Sequence, residues 1–125
     1  MPPGVADELR RVLAELSRMS GCRSVAVARR DGLAIVHRVV PGKDPIAMAE
    51  LAAATVEAAT RIASALEQGE FEQVVVKCAE GTIFAAEAGA EAVLVALFDR
   101  DADLSLTRFR MRAATRTIEE TLGRA

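Results

Sequence analysis

The apolar positions change period several times along the chain, and each change marks an element. Val5, Leu9, Val12, Leu13, Leu16 and Met19 recur every three or four residues, which predicts an amphipathic helix from Val5 to about Met19, with Gly21 just past its end. Ser24-Val-Ala-Val-Ala and Leu33-Ala-Ile-Val-His-Arg-Val-Val flank Asp31-Gly32, the pattern of two β-prone runs joined by a tight turn. Pro41 to Pro45 breaks the pattern. Asp44 suits a helix N-cap and Pro45 the first helical position. A long helix is expected from Pro45 to about Gln68, closed by Gly69. Three short strands follow, at Phe71–Cys78, Thr82–Ala88 and Ala92–Phe98, with Glu80-Gly81 and Gly89-Ala90 at the turns. Asp99 to Asp103 reads as a polar loop, and a last helix runs from Leu104 to about Leu122.

The predicted order is α-β-β-α-β-β-β-α. Consecutive strands joined by such short turns are antiparallel, so the class is α+β and not a parallel nucleotide-binding sheet. The 125 residues make one ordinary domain. Its expected span is 5–122, with tails at 1–4 and 123–125, and no repeat or low-complexity tract interrupts it.

The middle helix is the most informative segment. At 100° per residue, Met48, Leu51, Thr55, Ile62 and Leu66 fall within about 60°, a sector suited to packing on a sheet. Ala47, Ala54, Ala58 and Ala65 line one flank, and Ala49, Ala52, Val56 and Ala63 the other. The combined arc spans about 220°, against the roughly 100° a surface helix needs. Alanines favour helix and tolerate exposure. A ridge of them also lets a second helix approach closely, as when the same helix of another copy lies alongside. The following strand carries Val74-Val-Val, apolar toward both faces. At a sheet edge such a strand is an aggregation hazard unless it is paired, and pairing with its own copy across a two-fold axis removes the hazard. A homodimer interface is therefore expected at Ala47, Ala54, Ala58, Ala65, Phe71, Val74, Val75 and Val76. Glu50, Glu57, Arg61 and Ser64 form the exposed remainder of the helix and are the expected contacts to a further partner.

Composition narrows the function classes. Half the residues are apolar but aromatics are only 3%, so aliphatic side chains build the core and few rings are left for nucleobases to stack on. A net charge of −2 also argues against nucleic acid as a partner. The opening MPPGVADELRR meets a charge by Asp7, unlike a secretory signal. No apolar run approaches the roughly 20 residues that span a bilayer. A cytoplasmic protein without membrane contact is expected. Cys22 and Cys78 are too few and too distant for a disulfide framework or a zinc site.

Catalytic patterns are sparse. His37, the single histidine, sits in the second strand on the side of Leu33, Ile35 and Val39, and reads as a partly buried or edge histidine without a paired nucleophile. Gly42-Lys43 lacks the rest of a phosphate-binding loop. Asp99, Asp101 and Asp103 have alternate spacing, but Leu104 and Arg110 stand where a calcium loop needs Gly and Glu. Arg108, Arg112 and Arg116 form one stripe on the last helix, with Glu119 and Glu120 beyond. It reads as a solvated face or a contact for an acidic surface. No catalytic, cofactor or metal set is expected.

Several motifs in order resemble the Roadblock/dynein light chain family. They are the helix ending at Ser20-Gly21-Cys22, the strand leading into Arg30-Asp31-Gly32-Leu33, the alanine-rich Met48–Leu66 helix, Gly81 in the later hairpin, Ala88-Gly89 before Val-Leu-Val-Ala-Leu, and the Arg/Ala-rich last helix. The resemblance covers about Val5 to Leu122. It implies a five-stranded antiparallel sheet with the long helix on one face and two helices on the other, dimerised through the middle helix and third strand. It also implies a non-enzymatic platform for a Ras-like small GTPase, as in bacterial members of the family. The alternatives are a small-molecule sensor of the PAS or GAF type, a scaffold subunit with no GTPase partner, and an enzyme of unrecognised pattern.

Overall fold

A computed structural model describes residues 3–123, and its elements follow the expected order: α1 (Pro3–Ser17), β1 (Cys22–Arg29), β2 (Ala34–Arg38), α2 (Pro45–Ala65), β3 (Gln73–Lys77), β4 (Gly81–Ala88), β5 (Ala92–Asp99) and α3 (Leu104–Gly123). Of the expected tails, residues 1–2 and 124–125 lie outside the described residues, while Pro3, Gly4 and Gly123 belong to helices. The strands form one antiparallel sheet in the order β2-β1-β5-β4-β3, so β3 lies at an edge.

One face of the sheet carries α1 and α3. Every large apolar residue of the α1 stripe from Val5 to Leu16 is buried, together with Met111, Ala114 and Ile118 of α3. Between them, Phe84 of β4 and Phe98 of β5 meet edge to face, 5.6 Å between centroids and 81° between planes, the arrangement ring quadrupoles favour. These two rings supply the largest volume in the core. The opposite face takes α2 alone, through a smaller cluster in which Ala52 and Val56 meet Ala26, Ala85, Val93 and Val95.

The orientation of α2 corrects the sequence reading. Of Met48, Leu51, Thr55, Ile62 and Leu66, only Met48 packs against the sheet cluster, and the rest of the sector turns away from it. The buried residues are Ala49, Ala52, Ala53 and Val56, while Leu51, Ile62 and Leu66 are 68%, 59% and 64% exposed. The reason is steric: small side chains on the helix facing Ala26 and Ala85 on the sheet let the two backbones approach closely. The arc was indeed too wide for one sheet, but the surplus consists of the large residues as well as the alanine strip.

The ends of α2 follow from local chemistry. Asp44 is extended at φ −97° and ψ 107° and its Oδ1 accepts from the Ile46 amide at 2.9 Å, with Pro45 starting the helix. At the other end the expected stop at Gly69 comes too late. The Gln68 amide bonds the Ala63 carbonyl at 2.9 Å and the Glu67 amide the Ser64 carbonyl at 3.2 Å. This paired closure places Glu67 in the left-handed region at φ 54°. In β2 the buried residue is Val36, not the alternate set of Leu33, Ile35 and Val39, because a bulge between Val27 and Ala28 shifts the register. The spaced aspartates divide their duties: Asp103 Oδ1 caps α3 by accepting from the Leu106 amide at 2.9 Å, and Asp99 pairs with Arg23 at 2.7 Å.

Candidate interaction surface

Because α2 lies mainly over β1 and β5 and only brushes β3, the β3 side of its face of the sheet is left partly bare. Cross-strand register aligns Val74, Ala85 and Val95 in one row and Val76, Ile83 and Leu97 in the next. Met48, Leu51 and Thr55 of α2 stand beside these rows, and together they enclose a mainly apolar groove of about 250 Å³ whose polar lining is Lys43, Asp44 and Thr55. The groove runs to the free edge of β3, whose outer backbone groups have no strand to pair with.

The residues expected at the dimer interface are brought only partly together. Val74 and Val76 line the groove, whereas Val75 points to the other face and packs against the α1/α3 core. Phe71, half-buried, packs beside the α2 cluster just before β3. Ala47, Ala54 and Ala65 are exposed and Ala58 is half-buried, a strip adjoining Leu51 and Ile62 on the outer side of α2. Sequence reasoning missed Leu51, Ile62 and Leu66 as surface residues, and Ile83 and Leu97 as groove residues. The alternation of Ile83 with Ala85, and of Val93, Val95 and Leu97, was the signal for the second pair.

Glu50, Glu57, Arg61 and Ser64 are all exposed on the flank of α2 beyond the alanine strip. Among the described residues, none of the three charged side chains forms an ion pair. The β1–β2 turn packs closely beneath Glu50. Gly32 of the β1–β2 turn, at φ +95°, lies so close to α2 that a β-carbon there would be 3.3 Å from the Glu50 Cα. Further along, Arg30 Nη1 contacts Glu87 Oε2 at 2.8 Å, a contact of charge rather than an aligned hydrogen bond. Thr60 donates to the Val56 carbonyl at 2.8 Å and lies 3.4 Å from Glu87 Oε1.

Chemistry is not concentrated here. Among the described residues no three of His, Cys, Asp and Glu are placed to hold a metal ion, and no helix is long and apolar enough to cross a membrane. His37 is exposed on the edge strand β2. Burial pushes the Cys22 thiol up to about 11, which keeps it protonated and unreactive near neutrality, while Cys78 is exposed.

The comparisons with known proteins agree with this architecture. The Roadblock/LC7 domain model matches residues 8–98. The uncharacterized protein MJ1340 of Methanocaldococcus jannaschii is 32% identical over 109 residues, covering 87% of this chain and 95% of that protein. Among solved structures, MglB of Myxococcus xanthus superposes with a TM-score of 0.89 at 22% identity, over 99% of this chain and 94% of that one. A structure of MglB with a tetrameric arrangement gives 0.87 at 22% identity, over 99% and 94%. With a family match across most of its length and the α-β-β-α-β-β-β-α sheet in place, the chain belongs to the Roadblock/LC7 domain family.

Proposed function

We propose that the protein is a non-enzymatic homodimeric platform that binds a Ras-like small GTPase. The observation that carries the reading is the pair formed by the exposed aliphatic side of α2 and the apolar groove running to the β3 edge. Leu51, Ile62 and Leu66 left in water forgo roughly 1–2 kcal/mol each relative to burial. A second copy, with β3 pairing β3 and α2 laid beside α2, covers both features in one isologous contact. That MglB occurs in a tetrameric arrangement supports self-association in this fold. The GTPase comes from the family resemblance, in which bacterial members accompany such enzymes. Glu50, Glu57, Arg61 and Ser64 are the contacts proposed for it, and any change in hydrolysis would act through the partner's own switch regions.

The sensor reading is disfavoured by shape: the apolar groove, at about 250 Å³, falls below the roughly 300–1,000 Å³ of small-molecule sites, and the larger depression of about 840 Å³ at the end of α2 is wide open and lined by Glu67, Glu70, Glu87 and Glu119. The test is light scattering for mass, followed by pull-down and GTP-hydrolysis assays with the Ras-like GTPase encoded nearest the gene. A dimer that retains or modulates that GTPase is expected, with loss in a Glu50→Lys/Glu57→Lys variant. A dimer that neither binds it nor alters its rate leaves a scaffold and removes the GTPase.

A further inference from the structure

The arginine stripe of α3 is absorbed by neither the fold nor the α2 surface. Thr107, Met111, Ala114 and Ile118 face the core, which leaves Arg108, Arg112 and Arg116 exposed. Two contacts fix where they stand. Gln73 Nε2 at the start of β3 donates to the Arg108 carbonyl at 3.0 Å, and Arg112 Nη2 meets Glu72 Oε1 at 3.1 Å. Hence α3, which packs over β4 and β5, meets β3 at its start, and Arg108 and Arg112 stand there on the face opposite α2.

Resting on the self-paired β3 proposed above, this placement has a consequence. Val75 turns to the α1/α3 side, so Gln73 and Lys77, two residues before and after it, share that side. Antiparallel self-pairing then joins Gln73, Val75 and Lys77 of both copies into a floor, walled by α3 of each copy. We propose that this dyad trough binds a short, extended, acidic polypeptide segment. Successive arginines four residues apart rise about 6 Å along α3, close to the roughly 6.6 Å between same-side residues of an extended chain. Alternate carboxylates therefore match the stripe. Glu119 and Glu120 close it at the far end, and the stripe from Arg108 to Arg116 is about 12 Å long, room for about four extended residues on each wall. A short carboxylate segment fits better than a long polyanion, since each chain carries −2 overall. Glu72 already half-neutralises Arg112, but both side chains are well exposed, so the pair is weak and displaceable.

The probe is a fluorescein-labelled decapeptide of alternating glutamate and serine, titrated with the full chain at low salt and read by anisotropy, with mass measured in parallel. Binding by the dimer is expected, weakening with salt. Arg108→Glu/Arg116→Glu, two exposed positions, should keep the dimer mass and lose affinity by at least about tenfold. Glu72→Gln should strengthen binding about two- to threefold, an effect a purely structural pair would not give. A dimer that ignores the peptide, or binds it equally after charge reversal, overturns the trough alone. Tighter binding to labelled decathymidylate or to phosphatidylserine vesicles overturns it in favour of nucleic acid or membrane. A monomeric chain overturns the self-paired dimer, and the trough with it.

Discussion

The Gln68 amide reaches back 2.9 Å to the carbonyl of Ala63, and with the Glu67 amide on the Ser64 carbonyl this bond holds Glu67 in the left-handed backbone region at φ 54°. Glycine favours that position because a β-carbon there crowds the following carbonyl, at about 1–2 kcal/mol. Glu67 is exposed and forms no ion pair among the described residues, so nothing offsets the strain. Glu67→Gly is expected to raise stability by about 1 kcal/mol and the melting temperature by about 4 °C at fixed protein concentration. Urea and thermal denaturation followed by circular dichroism check it. A lower midpoint would show that the cap has another support.

The same helix shows how far the sequence could be read. Its existence, its Asp44 cap and its excess of apolar circumference were all legible, because capping chemistry and helical period are local. Which part of that circumference meets the sheet was not. That depends on the opposing surface, and Ala26 and Ala85 on the strands favour the small side of the helix over Leu51 and Ile62. The edge position of β3 could be inferred from strand order, yet the split of its three valines between faces needed the register with Ala85, Phe84 and Ile83.

Leu51 and Ala58 report on self-association from the same side of α2. In an isolated chain Leu51 is exposed and Ala58 half-buried on the outer side of α2, and the substitutions should change stability by no more than about 1 kcal/mol. In the dimer, Ala58→Glu places two like charges near the two-fold axis, and Leu51→Glu places a carboxylate against the apolar groove. Each variant is expected to run at monomer mass in light scattering with an unchanged far-ultraviolet spectrum. Wild-type melting temperature should rise with concentration and that of the variants should not. A wild-type chain at monomer mass would remove the interface.

Two glycines in the last hairpin should tolerate alanine very differently. A β-carbon on Gly81 would sit 2.5 Å from the Phe98 carbonyl oxygen, a backbone atom in the ladder between β4 and β5 that cannot withdraw. On Gly89 it would meet the Glu119 side chain at 2.9 Å, and that side chain is exposed and can swing aside. Gly89→Ala then carries mainly the strain of φ +77°, about 1–2 kcal/mol. Gly81→Ala is expected to cost more, about 3 kcal/mol or above, with loss of soluble protein at elevated temperature. The order of the two urea midpoints decides it; Gly81→Ala as the milder change would contradict the register.

Cys22 gives the chain an alkaline limit. Its thiol titrates near 9.0 when unfolded and near 11 when folded, because partial burial disfavours the thiolate. Between those values the unfolded chain loses a proton that the folded chain keeps. The stability this contributes is whole below about pH 9 and is lost as pH rises through about 11. With no tyrosine and only Lys43 and Lys77 as lysines, few other groups titrate in that window. The wild-type melting temperature should fall more steeply from pH 9 to 11 than that of Cys22→Ala, the other cysteine being intact in both. Alkylation adds a second reading: iodoacetamide at pH 8 should modify the exposed Cys78 and leave Cys22 free until denaturant is added. Equal labelling of both thiols in the folded chain would show that the end of α1 opens far more often than its packing implies.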